Sequence, residues 1–458
     1  MSQVEDLSRL KTNNSAAGVS TTSLGRRLSH AIGSRNTPII LAITLAVTLG
    51  SFWALILPFE WGDDERQHVD TIIHWTISTD LPVITQDGAR FFRYPREAAF
   101  TYLAAPPLPY LPPAIAARLF NLTNYEDFIA IGRVWSILCI AAAVGMTSAI
   151  AADLARPSHR RQAALWAGTV IAFMPKMGEI AGYTNSDSTS IVAAAFVLWV
   201  AMRGHRSVWP KRWIVTLGLA VGLLGLTRYN AYVAALPALA LTLHFWWKND
   251  RTRIPPFLPV SLTALAVWAW WPVRNLVLYG EPTGVPTIYS ELALRGRGGE
   301  TLPHVFNLPN TLESLVTQTP FIHDLWASFW IGEKAGGDGP WIWIATAALV
   351  ALMLARNRQA QSWTNIYPTR SMLLSLIVAV IIIGLASAQN SLTHDYQAKG
   401  RYLLPLLPLG TVLLAAHITN LPGWIRRPAL IFGPLLSAAL SVAYTVGFFV
   451  PVALLGYG

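Results

Sequence analysis

Three consecutive residues able to move a proton, Asp63, Asp64 and Glu65, sit in the segment Trp61-Gly62-Asp63-Asp64-Glu65-Arg66-Gln67-His68, directly after a long apolar run. A carboxylate so placed can act as general base toward a hydroxyl. Beyond it, Val69, Ile72, Ile73 and Ile77 recur at helical spacing, which predicts an amphipathic helix lying on the membrane surface. On that helix Asp64 and His68 stand one turn apart on the same side. Acid groups are then held at the depth of a lipid head group. A solvated acidic helix start fits the same residues, because carboxylates favour the positive end of a helix dipole. The spacing Asp64-Glu65-x-x-His68 is compatible with a divalent cation, although one histidine with carboxylates is a weak metal signature.

A second set of residues could hold an anion. Lys399 and Arg401 lie in the polar stretch His394-Asp395-Tyr396-Gln397-Ala398-Lys399-Gly400-Arg401-Tyr402, at the head of an apolar run. Arg401 is the first choice among them, because it lies within a polar cluster beside a span and a guanidinium can hold an oxyanion through two parallel bonds. Arg274, Arg228 and Lys176 occupy similar places beside other runs. Snorkelling toward the interface accounts for each of them taken singly. His394 and Asp395 could contact a sugar or a metal, with plain loop polarity as the simpler account. In Tyr183-Thr184-Asn185-Ser186-Asp187 the residue types suit a helix cap by Asn185 or Ser186. Glu179 has little besides its position to recommend it.

The elements that must position these groups are membrane helices. Of 458 residues 53% are hydrophobic and 13% charged, too apolar and too sparsely charged for a soluble domain. Apolar runs occupy residues 37–59, 128–154, 162–175, 186–202, 213–227, 229–247, 257–279, 341–355, 371–388, 402–417 and 428–450, about eleven candidate spans. Runs 162–175 and 341–355 are short for a full crossing. Basic clusters at Arg156/Arg160/Arg161, Arg203/Arg206/Lys211/Arg212, Lys248/Arg251/Arg253, Arg356/Arg358/Arg370 and Arg426/Arg427 all fall on the side of the N-terminal tail. By the positive-inside rule that side is cytoplasmic and the C-terminus is external.

The fold class expected is therefore an all-α polytopic membrane protein, with a disordered cytoplasmic tail over residues 1–35 and one transmembrane domain over 36–458. Run 37–59 is too long for a typical signal-peptide core and is read as a retained span. Residues 101–120, with Pro106, Pro107, Pro109, Pro112 and Pro113, are placed on the outer surface as an interfacial or re-entrant element. Two external loops are long, 60–127 and 280–340. The glycines of the second suit a mobile lid, or equally an ordinary flexible loop. On this topology Lys176, Arg228, Arg274, Lys399 and Arg401 are external, against the positive-inside trend, which gives them weight as a group.

Several classes drop out. The net charge of +10 lies in clusters between spans, which accounts for it without nucleic acid. Cys139 is the one cysteine, so no disulfide can form within the chain, and its apolar setting reads as a small buried hydrophobe. Neither GxxxxGK[ST] nor a GxGxxG after a strand occurs, so a nucleotide is not the expected donor.

The apolar first run followed by Asp64-Glu65-x-x-His68 resembles the first external loop of the GT-C superfamily, which includes protein O-mannosyltransferases and lipid A aminoarabinose transferases. Further likenesses follow in order: Pro106-Pro107-Leu108-Pro109-Tyr110, Gly225-Leu226-Thr227-Arg228-Tyr229, Trp271-Pro272-Val273-Arg274-Asn275 with Tyr279-Gly280, and Gly400-Arg401-Tyr402-Leu403-Leu404-Pro405. The resemblance implies a glycosyltransferase moving a sugar from a polyprenyl-phosphate carrier to a glycan, lipid or protein acceptor, with inversion. Asp64 would be the base, Asp63 the alternative, and Glu65 would orient either. Arg401, Lys399, Arg274 and Arg228 would bind the donor phosphate. His68, Pro107, Tyr110, Tyr402, His394 and Asp395 would contact substrate. No cofactor is implied beyond compatibility with a divalent cation. The expected setting is a bacterial inner membrane with the site facing outward. A flippase of polyprenyl-linked sugars, or a polysaccharide polymerase or ligase, is the competing reading.

Overall fold

The computed structural model describes residues 36–62, 64–78, 81, 83, 102–249, 256–294, 321–331, 369–393 and 399–446. The N-terminal tail, Asp63, His394, Asp395, the run 341–355 and the glycine-rich parts of the second external loop lie outside these residues. Among the described residues every regular element is helical. In chain order they are α1 (Thr37–Ile56), α2 (Glu65–Ile77), a 3-10 turn at Tyr102–Ala104, α3 (Leu111–Leu119), α4 (Tyr125–Leu154), α5 (Arg160–Phe173), α6 (Pro175–Gly182) and α7 (Asp187–Arg206). Then come α8 (Lys211–Gly225), a 3-10 segment Tyr229–Ala235 leading into α9 (Leu236–Asn249), α10 (Phe257–Trp268), α11 (Trp270–Tyr279), α12 (Val285–Leu294), α13 (Phe321–Ile331) and α14 (Thr369–Thr393). A 3-10 segment Gly400–Leu406 runs into α15 (Leu407–Thr419), and α16 (Gly423–Tyr444) follows.

Five of these stretches are long and apolar enough to cross a membrane: α1, α4, α14, the continuous segment Gly400–Thr419, and α16. The 20 residues of α1 carry no charge and reach about 30 Å, the thickness of a hydrocarbon core. Pro38 in its first turn costs no hydrogen bond, because that N–H has no helical partner. A sixth span is completed if α6 and α7 count as one element, bent by 117°. The chain is thus an integral membrane protein, helical throughout the regular elements of its described residues.

Among the described residues, several other runs form shorter helices. Run 162–175 gives the 14 residues of α5, and 213–227 the 15 of α8. Run 257–279 is broken at Ala269 into α10 and α11. Pro272 explains the break, since it has no N–H to bond the Trp268 carbonyl one turn back. The Pro-rich stretch 101–120 does not span either: α3 has nine residues, about 14 Å.

Close helix approach replaces hydrophobic burial as the packing device inside a bilayer. Gly218 and Gly222 let α8 approach α10 closely, for a Cβ at either would fall 2.9 and 3.0 Å from the Val260 and Ala264 carbonyl oxygens. Helices α1, α4, α5 and α7 pack pairwise around a core containing Trp53, Val144, Trp166 and Ile191. The apolar stripe of α2 is covered by protein: Val69 and Ile72 are buried against Tyr110, Ala114, Ala117 and Phe128 of α3 and α4. Ile77 alone of that stripe is largely exposed.

Candidate active site

Pro58 ends α1, and the chain turns through Trp61 and Gly62 to start α2 with Asp64 at its N-cap position. The Asp64 side chain makes no capping bond, so it points elsewhere. Its Oδ2 accepts from the Tyr102 hydroxyl at 2.9 Å and from Nη2 of Arg401 at 3.3 Å. Burial by itself would raise this carboxyl, but Arg401, Lys399 and a protonated His68, with the Tyr102 bond, outweigh it and hold it at about 2.

His68 lies on the next turn, flat against Tyr102 with ring centroids 4.5 Å apart and planes 3° from parallel. Its Nδ1 shares a 3.0 Å hydrogen bond with the Tyr110 hydroxyl. Burial pulls the imidazole down to about 4 against the attraction of Asp64, so it is uncharged at neutral pH. Burial likewise holds the Tyr102 and Tyr110 hydroxyls well above the ordinary phenol range, leaving both as neutral donors. Pro107 is buried and turns the chain into α3, its carbonyl accepting the backbone N–H of Tyr110 and Leu111.

Arg401 reaches Asp64 from the far end of the chain because α13 fixes its segment. The Gly400 N–H donates to Ser328 Oγ at 2.6 Å, and a Cβ at residue 400 would lie 2.0 Å from the Phe329 backbone nitrogen. Only glycine permits that approach. Tyr402 lies between two guanidinium groups, Arg228 at 5.1 Å and Arg401 at 6.0 Å from its ring centre. Arg228 is also ion-paired with Asp187 in the first turn of α7.

Of the residues named from sequence, the structure brings Asp64, His68, Tyr110, Arg228, Arg401 and Tyr402 into one centre, with Lys399 half-buried within electrostatic reach of Asp64. Glu65 is turned away, its carboxylate taken by Arg133 and by backbone N–H groups. Arg274 stands apart: it donates to Asn275 Oδ1 at 2.6 Å and stacks on Trp271, while Asn275 ties α11 to the Ala104 carbonyl. Lys176 pairs with Glu179 at 3.1 Å inside the bundle, where both are buried. Ser186 holds the N-cap position of α7 without a side-chain capping bond, and Asn185 before it supplies one, accepting the Ser188 N–H at 2.8 Å.

Sequence reasoning missed Tyr102 and Arg133, and saw Asp187 only within a capping motif. A charge inside the apolar run 128–154 was the available signal for Arg133. Among the described residues no three His, Cys, Asp or Glu side chains gather as a metal site would require. The site thus offers a carboxylate that can take a proton beside guanidinium groups that can hold an oxyanion.

Residues 116–271 match the family model for dolichyl-phosphate-mannose-protein mannosyltransferase, a stretch that contains Arg133, Asp187 and Arg228. A search of curated proteins returned no match. Among solved structures, ArnT from Cupriavidus metallidurans bound to undecaprenyl phosphate is similar in fold, with a TM-score of 0.51 at 18% identity over 93% of this chain and 73% of that one. The oligosaccharyltransferase AglB from Archaeoglobus fulgidus, in complex with an inhibitory peptide and a dolichol-phosphate, gives a TM-score of 0.53 at 13% identity, over 89% of this chain and 56% of that one. The chain is thus similar in fold to ArnT and AglB, and about a third of it matches a mannosyltransferase family model.

Proposed function

We propose that this protein transfers a sugar from a polyprenyl-phosphate carrier to an acceptor hydroxyl on the outer face of the membrane, by single displacement with inversion. The observation that carries the reading is the Asp64–Arg401 contact, which sets a proton acceptor beside a buried guanidinium. The lipid phosphates bound in the ArnT and AglB structures support a donor of this chemistry. The reading keeps the eleven-span topology with a cytoplasmic N-terminus, which puts the site outside, as in a bacterial inner membrane.

In this mechanism the acceptor hydroxyl gives its proton to Asp64 as its oxygen attacks the anomeric carbon. The bond from that carbon to the phosphate oxygen breaks on the opposite face, and the leaving phosphate keeps the electron pair. Arg401, Lys399 and Arg228 stabilise the charge that develops there, while Arg274, held by Asn275 and Trp271, is not one of this group. His68, Pro107, Tyr110 and Tyr402 line the sugar side, and His394 and Asp395, outside the described residues, remain substrate contacts proposed from sequence. Asp63 is the alternative base. A carboxylate held near 2 is a weak base; when the donor phosphate takes up Arg401, the chief opposing charge on Asp64 is withdrawn and its basicity rises.

The test is sugar release from a panel of radiolabelled polyprenyl-phosphate monosaccharides by purified protein in nanodiscs, with hydroxyl-bearing glycan, lipid and peptide acceptors. Wild type should consume at least one donor, and Asp64→Asn should lose on the order of 1,000-fold in kcat. Full turnover by a folded Asp64→Asn protein sinks the base assignment. Lipid crossing liposome bilayers with no donor consumed replaces the transferase by a flippase.

A further inference from the structure

One residue beyond Asp64 lies a second carboxylate–guanidinium centre in which every bonding position is used. Nε and Nη2 of Arg133 donate to the two Glu65 oxygens at 2.9 and 3.0 Å. The other N–H groups of the same guanidinium go to the carbonyls of Ala54 at 2.7 Å, Leu57 at 2.9 Å and Pro58 at 3.2 Å. These carbonyls belong to the end of α1, where no helical donor reaches them. Glu65 also accepts the backbone N–H of Glu60 and of Thr184, each at 3.0 Å. An arginine has five N–H donors and a carboxylate about four acceptor sites, so both inventories are spent. Neither group keeps capacity for a substrate.

What the pair holds together is the frame of the site. Glu60 has a φ of 66°, a conformation costly for a residue with a Cβ, and its N–H is tied by Glu65. Four residues later the chain presents Asp64. On the other side, the Tyr183 ring packs over Gly62, where a Cβ would fall 2.4 Å from it, and Thr184 donates to Glu65. From Thr184 the chain runs through the Asn185 cap to Asp187, which pairs with Arg228. One carboxylate therefore ties the backbone carrying Asp64 to the backbone carrying the partner of Arg228.

We propose that Arg133, acting through Glu65, is a positioning residue that sets where Asp64 stands relative to Arg401 and Arg228. The inference rests on the reading of Asp64 as the base. A pair that only stabilised the fold would leave the folded molecules with normal kcat. A positioning pair leaves donor affinity intact and lowers kcat, since displacing a reacting group by about 1 Å costs on the order of 100-fold.

The experiment uses the full chain in nanodiscs, comparing wild type, Asp64→Asn, Glu65→Gln, Arg133→Lys and the double variant Asp64→Asn/Glu65→Gln. Turnover is followed with the polyprenyl-phosphate sugar that wild type consumes, and binding with undecaprenyl phosphate lacking a sugar, which reports the cationic groups alone. Glu65→Gln and Arg133→Lys should bind this lipid as wild type does and lose on the order of 100-fold in kcat. The acid limb of their kcat profile should move to higher pH as Asp64 leaves Arg401 and Tyr102. The double variant should be no slower than Asp64→Asn. Wild-type kcat in both single variants, beside an inactive Asp64→Asn, overturns the positioning role and leaves the base standing. Full turnover by Asp64→Asn, or none by wild type, overturns the base and this inference with it. If both single variants lose lipid binding, the pair is an architectural requirement and the positioning role is wrong.

Discussion

Asp64 and Glu65 are adjacent carboxylates, each facing a buried arginine, and the two pairs are built differently. Glu65 is fully enclosed and receives four hydrogen bonds, two of them from one guanidinium in parallel. The Asp64 side chain keeps 21% of its surface exposed and meets Arg401 through a single longer contact. Both of its described bonds fall on Oδ2, so among the described residues Oδ1 has no partner. Arg133 spends its remaining hydrogens on the end of α1, whereas Arg401 turns toward Tyr402 and the site. The difference separates a group that holds the backbone from one that can exchange partners. Unspent acceptor capacity on a half-buried carboxylate beside a cation is what a base awaiting an acceptor and an anion requires.

If the contrast is real, stability should separate the neighbours most sharply. Glu65→Ala strands a buried guanidinium and should cost about 3–5 kcal/mol. Asp64→Asn keeps shape and most hydrogen bonding and should change the unfolding midpoint little. Thermal unfolding of both in nanodiscs checks this, and equal losses would erase the distinction. Next in size is Arg401→Ala, which removes a charge-assisted bond to the donor phosphate and should weaken undecaprenyl phosphate binding by about 1.5–3 kcal/mol, roughly 10- to 150-fold in Kd. An unchanged Kd would assign Arg401 to Asp64 alone.

The legible part of the fold was what a local run decides. The described parts of runs 37–59, 128–154, 371–388, 402–417 and 428–450 lie in five long helical stretches, because some twenty apolar residues have few other solutions in lipid. The bend between α6 and α7 was not legible, for it depends on Trp53 filling the space beside Gly178 and Gly182 from a distant helix. At the site, the residue types of Asp64 and Arg401 were readable from their places at the ends of spans. Their meeting across 337 positions was not, because tilt and register between helices are set by packing. Residue type and spacing alone did not tell Asp64 from Glu65; only the family resemblance gave them different roles. What distinguishes them is Arg133, 68 positions on, and a backbone N–H 119 positions on.

A third carboxylate on the same helix extends the comparison at smaller scale. Asp70, partly buried, accepts from the Tyr125 hydroxyl at 3.2 Å and has no guanidinium in contact among the described residues. Burial raises its carboxyl from 3.8 to about 6, with the Tyr125 bond and the more distant Arg66 offsetting it only in part. Because the folded value exceeds the unfolded one, the contribution of Asp70 to stability is fully present below about pH 4 and is lost as pH rises through 6. Asp70→Asn fixes the neutral form and still accepts from Tyr125. It should match wild type at pH 4 and exceed it at pH 7 by on the order of 1 kcal/mol once solvent screening is counted. Unfolding midpoints measured from pH 4 to 8 should show the gap opening between 4 and 6. A gap constant across that range would mean that the substitution acts by shape alone. It would also remove the argument that, on this helix, an uncompensated carboxylate titrates upward while Asp64, beside its cations, titrates down.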